Sequence, residues 1–290
     1  MADRIELIWF WESLYTHRMY VKFRDYFHYL FKDALEKYDK VIIYSVFSNE
    51  THHPISYDNN VLHVQYSGEP AHSSKDPKNF DLNLIPSLEG DNIIPHTLAG
   101  QHLYVHNLWE LLYSERNVEK DNKKNAKFCS FIVSNPNSNP RNYFFQLLNN
   151  SYKKVDSCGC FANNVGHLPP EIDTPEYFKY LSQYKFMICF ENTQCDYYLT
   201  EKLMNAYLGK CIPIYWGCKQ LPELLNTKAL IYIDTASPEK FKEAMEKVIE
   251  LDNDWDKYKA VYEQPLFVNG ELPRELDADY LRKKINTIIK

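Results

Sequence analysis

Apolar positions along the chain recur at two spacings, and the alternation of those spacings predicts the architecture. Runs of β-branched and aromatic residues at 5–10 (IELIWF), 40–47 (KVIIYSVF) and 61–66 (VLHVQY) read as strands, and 80–85 adds a short fourth. Residues 19–38 carry the spacing of an amphipathic helix. The proline- and glycine-bearing stretch 86–100 reads as a loop and 102–113 as a helix. From 128 onward the alternation is cleaner: strands at 128–133, 153–155, 186–190, 212–216 and 230–233, with helices at 141–150, 176–183, 200–208, 221–225 and 238–251. Strands alternating with helices of this length predict βαβ units and a parallel sheet, whose ligands bind beyond the carboxyl ends of the strands. Between the halves, SERNVEKDNKKNAK (114–127) is almost wholly polar and reads as a linker or exposed hinge. That places an N-terminal domain at 1–120 and a C-terminal one at 121–290, with C-terminal helices able to pack back on the first.

Composition narrows the function classes. At 290 residues, 44% hydrophobic and 15% aromatic, the chain is a packed globular protein and not a disordered one. It has 8 glycines and neither G-x-x-x-x-G-K-[ST] nor G-x-G-x-x-G, so nucleotide binding has to use other chemistry. A net charge of -6 offers no broad basic footprint for nucleic acid or anionic membrane. No apolar run approaches the roughly 18 to 20 residues of a membrane span. The opening MADRIELIWFWESLY lacks the pattern of a secretory signal. The expectation is a soluble, cytoplasmic chain with no integral membrane segment, the alternative being a luminal catalytic domain without its anchor. The 7 cysteines read as reduced core thiols, since several lie in or beside apolar runs. Cys158-x-Cys160 with His167 lacks the second matched pair that a zinc corner would need.

Three segments that follow strands hold the candidate chemistry. In SNPNSNPRN (134–142), Arg141 falls in the opening turn of a helix, where free N–H groups and a forked cation suit a diphosphate; the bland reading is a Pro/Asn turn with an exposed Arg. In FENTQCDYYLTEK (190–202), Thr200 is an N-cap and Glu201 an ordinary first-turn acid. Lys202 is anomalous there, because a cation opposes the helix dipole unless an anion sits nearby, and a bound phosphate would be one. In QYSGEPAHSS (65–74), Glu69 sits on a stiff turn between Gly68 and Pro70, as a positioned general base or a solvated turn residue. Asp252, Asp254, Asp256 and Glu263 imitate a calcium loop, but Lys257 stands where a glycine is needed, so the run reads as the solvated end of a helix.

Two long stretches, FCSFIVSNPNSNPRNYFFQLL with KKVDSCG downstream, and YKFMICFENTQCDYYLTEKLMNAYLGKCIPIYWG, resemble the α-1,3/4-fucosyltransferase family. The second is similar to the family's F-E-N-S, spacer, Y-[VI]-T-E-K and [IV]-P-[IV]-Y-W-G signature, with Thr193 in place of the usual Ser. The resemblance implies an α/β fold of two Rossmann-like domains facing a cleft, called GT-B, and inverting transfer of L-fucose from GDP-fucose without a metal or other cofactor. It assigns the diphosphate to Arg141 and Lys202, the ribose to Glu201, and the rest of the donor to Asn192 and Tyr198. Through YSGEPAHS it makes Glu69 the general base. The implied acceptor is a glycan hydroxyl, O-3 of GlcNAc in an N-acetyllactosamine-type chain, although the family's R-[YF]-P-L-W-type stretch is missing from 79–112. Transfer from another GDP-sugar or to another acceptor, and a degenerate glycan- or nucleotide-binding module, are the alternatives.

Overall fold

The computed structural model describes residues 4–8, 17–46, 59–70 and 73–289, with the side chains of 17–20 excepted. The predicted strand ends at 9–10 and 47, and residues 71–72 of the Glu69 segment, lie outside the described residues. Two parallel five-stranded sheets form. The first runs in sequence order: β1 (Ile5–Ile8), β2 (Lys40–Ser45), β3 (Val61–Tyr66), β4 (Leu82–Ile85) and β5 (Ile93–Pro95). The second contains β6 (Lys127–Phe131), β7 (Asp156–Ser157), β8 (Tyr184–Ile188), β9 (Ile212–Tyr215) and β10 (Ile231–Tyr232), in the order β10-β9-β8-β6-β7. The helices are α1 (His17–Phe31), α2 (Leu98–His106), α3 (Trp109–Leu112), α4 (Asn139–Ser151), α5 (Pro175–Leu181), α6 (Glu201–Leu208), α7 (Leu221–Leu224), α8 (Pro238–Asn253), α9 (Trp255–Tyr262) and α10 (Ala278–Ile288). No helix among the described residues is long and apolar enough to cross a membrane.

Contacts divide the chain into two units. One holds residues up to Asn107 together with Cys195–Tyr198 and Leu272 onward; the other holds Leu108–Gln194 and Leu199–Glu271. The first unit is closed by α10, whose Leu281 and Ile285 share a core with Phe27, Leu30, Val41 and Val64. Asp33 anchors that helix by accepting a forked pair from Arg282, Nε and Nη2 both at 2.8 Å, and an amide hydrogen from Asn286. The loop expected at 86–100 contains β5, a three-residue edge strand ending in Pro95, which costs the sheet no paired N–H at that position. The single helix expected over 102–113 breaks at Asn107. Its left-handed backbone (φ 52°) turns the N–H back to the Leu103 and Tyr104 carbonyls and ends α2.

The polar run 114–127 is not an exposed hinge. Val118 is 1% exposed, Arg116 6% and Lys123 0%. Arg116 lies between the rings of Tyr207 and Tyr262, 4.2 and 4.1 Å from their centroids. Its guanidinium donates to the carbonyls of Tyr262 (2.8 Å), Tyr207 (2.7 Å) and Cys211 (2.8 Å). It thus caps the last turns of both α6 and α9. Lys123 donates to the Ser182 and Tyr184 carbonyls at 2.6 and 3.0 Å. Charge content alone misleads here, because long basic side chains find backbone acceptors inside the unit.

Burial pulls the Lys123 amine down to about 8. Its folded pKa lies below the unfolded one, so the unfolded chain holds the extra proton between those values, and this contribution to stability rises with pH across the window. Urea unfolding should therefore show the difference between wild type and Lys123→Met moving in favour of wild type from about pH 8 to about pH 10, by at most about 1.4 kcal/mol per unit. A difference that stays flat with pH would show that the amine is not perturbed by burial.

Asp252 also departs from expectation. Its side chain is 3% exposed, pairs with Lys153 and Lys185 at 2.5 and 2.8 Å, and accepts from the Tyr152 hydroxyl, while Asp254 caps α9 through the Lys257 N–H. Asp252 is thus a buried structural pin, whereas Asp254, 42% exposed, remains at the solvated junction of α8 and α9. The seven cysteines are free thiols, five of them buried.

Candidate active site

In the second sheet, the chain after β6 turns to one side to make β7, and the chain after β8 turns to the other to make β9. The reversal leaves a crevice between the carboxyl ends of β6 and β8, the place where open α/β sheets bind ligands. The helices that follow those two strands are α4 and α6, and they carry Arg141 and Lys202 in their first turns. Arg141 is 1% exposed; its Nη1 donates to Asn192 Oδ1 at 2.7 Å and its Nη2 to the Asn135 carbonyl. The Arg141–Asn192 bond spans the reversal and joins the two post-strand segments.

The N-termini of α4 and α6 differ from those of the other helices longer than one turn whose caps are described; the one-turn helices α3 and α7 also lack a side-chain cap. Thr97, Thr174, Ser237, Asp254 and Asp277 each cap their own helix by accepting a backbone N–H, whereas Ser138 and Thr200 make no such bond. Ser138 is 4% exposed and its hydroxyl meets no partner. Thr200 instead donates to Glu191 Oε2 at 2.7 Å and accepts from Lys202 Nζ at 2.9 Å. Two helices without a side-chain cap, both ending at the same crevice, provide N–H groups and dipole ends suited to an anion.

The anomaly of Lys202 has an internal explanation. Its ammonium lies 3.3 Å from Glu191 and 3.4 Å from Glu201, so two carboxylates, and not only a ligand, balance it against the helix dipole. Burial alone would pull this amine down; Glu201 and Glu191 outweigh it and hold the group above its ordinary value. Lys202 is therefore a fixed cation, with its side chain still 24% exposed. Glu191, 0% exposed, is held above the usual carboxylate range by burial, with Lys202 pulling the other way.

Arg141, Asn192, Glu201 and Lys202 thus share one end of the second unit. Tyr198 is 2% exposed and belongs to the four-residue segment counted with the first unit, where the Cys195 thiol donates to the Pro86 carbonyl. Glu69 also lies in the first unit, half-buried just beyond β3, its turn fixed by the Ser67 hydroxyl, which accepts the Glu69 N–H at 3.0 Å and donates to the Glu69 carbonyl at 2.9 Å.

Sequence reasoning assigned nothing to Glu191 or Gly217. The backbone of Gly217 has φ +151°, and a Cβ there would come 2.3 Å from Glu191 Cγ. Gly217→Ala should lower the melting temperature by roughly 10 °C, a loss on the order of 3 kcal/mol. A scanning-calorimetry shift under about 2 °C would show that Glu191 can move aside.

Residues 121–264 match Glycosyltransferase family 10 (fucosyltransferase) C-term. The Alpha-(1,3)-fucosyltransferase FucT of Helicobacter pylori is 34% identical over 185 residues, 61% of this chain and 37% of that protein. The GDP-fucose protein O-fucosyltransferase 3 of Bos taurus is 32% identical over 158 residues, 51% of this chain and 31% of that protein. The chain thus spans about a third of the length of these curated relatives. A solved α1,3-fucosyltransferase with GDP-fucose superposes at a TM-score of 0.70 and 22% identity, covering 99% of this chain and 90% of that one. The form with GDP gives 0.73 and 22%, covering 98% and 89%. These likenesses make the fold GT-B, and residues 121–264 form a glycosyltransferase family 10 (fucosyltransferase) C-terminal domain.

Proposed function

We propose that the chain transfers L-fucose from GDP-fucose to an acceptor hydroxyl with inversion at the anomeric carbon. The observation that carries this reading is the Arg141–Asn192 bond across the strand-order reversal, which gathers two cations and two helix N-termini without side-chain caps at one crevice. Such a site suits a nucleoside diphosphate that leaves with developing negative charge. Arg141 and Lys202 neutralise that charge and take the part a metal plays in other transferases. Glu201, beside Lys202, takes the ribose hydroxyls in this reading; Asn192 and Tyr198 meet the remainder of the donor. Glu69 removes the acceptor proton as the new bond forms on the opposite face of the sugar.

For the acceptor, we favour O-3 of GlcNAc in an N-acetyllactosamine-type glycan. A protein hydroxyl is the second reading, supported by the protein O-fucosyltransferase relatives that match part of this chain at 29–33% identity. Purified protein with EDTA, GDP-fucose and either N-acetyllactosamine or a denatured protein mixture should release GDP and yield a fucosylated product from one acceptor. Loss of all transfer in EDTA, restored by a divalent cation, would overturn the metal-independent part. An unchanged melting temperature at saturating GDP-fucose would count against the donor itself.

A further inference from the structure

Two separated segments of the second unit, 200–202 and 215–218, converge on one carboxylate. Glu191 Oε1 accepts the Thr200 N–H at 2.8 Å and the Tyr215 hydroxyl at 3.2 Å; Oε2 accepts the Thr200 hydroxyl at 2.7 Å and faces Lys202 Nζ at 3.3 Å. The Tyr215 hydroxyl is itself oriented by the Cys218 N–H at 3.1 Å, and Gly217 leaves room for the Glu191 stem. A carboxylate has about four acceptor positions, and these four donors occupy them. A buried charge is costly unless it is fully paired, so the arrangement is built to keep one there. It has two effects on α6. Thr200 is drawn away from capping the helix, and Lys202 is held at its mouth.

We propose that Glu191 is a positioning residue of the donor site: by engaging Thr200 and Lys202 it keeps the first turn of α6 open and the Lys202 ammonium in place for the nucleoside diphosphate. Glu191 acts through Lys202 and does not touch the donor. The inference rests on the reading of Lys202 as a diphosphate ligand.

A double-mutant cycle of Glu191→Gln and Lys202→Ala tests it, with GDP affinity from calorimetry, kcat and KM for GDP-fucose, and melting temperature as readouts. Glu191→Gln should lower kcat by roughly 10- to 100-fold with a smaller change in KM. Added to Lys202→Ala, the same substitution should cost less than about 2-fold, because the group it positions is already gone. Multiplicative losses, or full activity in Glu191→Gln, would overturn the proposal. Should Glu191→Gln not fold, Tyr215→Phe decides the matter in its place. This variant removes one donor to Glu191 and leaves Lys202 intact, so a smaller kcat loss that vanishes in the Lys202→Ala background supports the proposal, and one that persists there overturns it. Wild type that binds no GDP overturns the donor reading together with this inference, whereas GDP binding with multiplicative losses overturns this inference alone.

Discussion

Arg141→Ala should cut fucose transfer by roughly 100- to 1,000-fold in kcat, while GDP affinity falls much less. The guanidinium is almost fully enclosed and already fixed by Asn192 and the Asn135 carbonyl, so no reorganisation is needed when charge builds on the leaving diphosphate. Arg141→Lys should recover only a small part of the activity, since one ammonium cannot hold Asn192 and reach the diphosphate as a planar fork does. Steady-state kinetics beside calorimetric GDP binding distinguishes the roles. Equal losses of turnover and of GDP affinity would reduce Arg141 to an ordinary binding residue.

The largest stability effect is expected at Arg116. Arg116→Ala removes three charge-assisted hydrogen bonds and the filling between two tyrosine rings, leaving the Tyr207, Cys211 and Tyr262 carbonyls without those donors. A loss of about 3–5 kcal/mol follows from breaking a buried network of this kind. Lysine at the same position offers one point charge where a flat three-way donor is needed, and should restore less than half. Urea unfolding followed by circular dichroism measures this, and a loss below about 1 kcal/mol would show that water or neighbouring groups replace the guanidinium. Because α6 carries Lys202 at one end and is held by Arg116 at the other, variants that stay folded should also show reduced transfer.

How much of this was legible in the sequence depends on the range of the interaction involved. The alternation of apolar runs located the parallel sheet of the second half and four strands of the first, because strand and helix periods are local properties. The parallel pairing of the first sheet followed only from the family resemblance. Arg141 and Lys202 stood out because first-turn positions are also local. The partners of Lys202 were harder to see: Glu191 lies eleven residues earlier, and only the pairing of β8 with β9 brings Tyr215 and Gly217 against it. The polar run 114–127 misled for the same reason, since Arg116 reaches carbonyls 91 to 146 residues away. β5 was missed because three residues ending in proline carry no periodic signal. Its place follows only from pairing with β4.

The closure of the first unit by α10 also sets an order of events during synthesis. Domains generally fold as they emerge, the N-terminal one first. Here the core around Phe27, Leu30 and Val41 includes Ala278, Leu281, Ile285 and Ile289, which leave the ribosome only after the whole of the second unit. The second unit, made up to Glu271, has all its strands and helices by then, so it is the one able to fold on the nascent chain. The unit that begins first finishes last, and until it does, its α1 and β2 have an uncovered apolar face that a chaperone or an aggregating neighbour can reach.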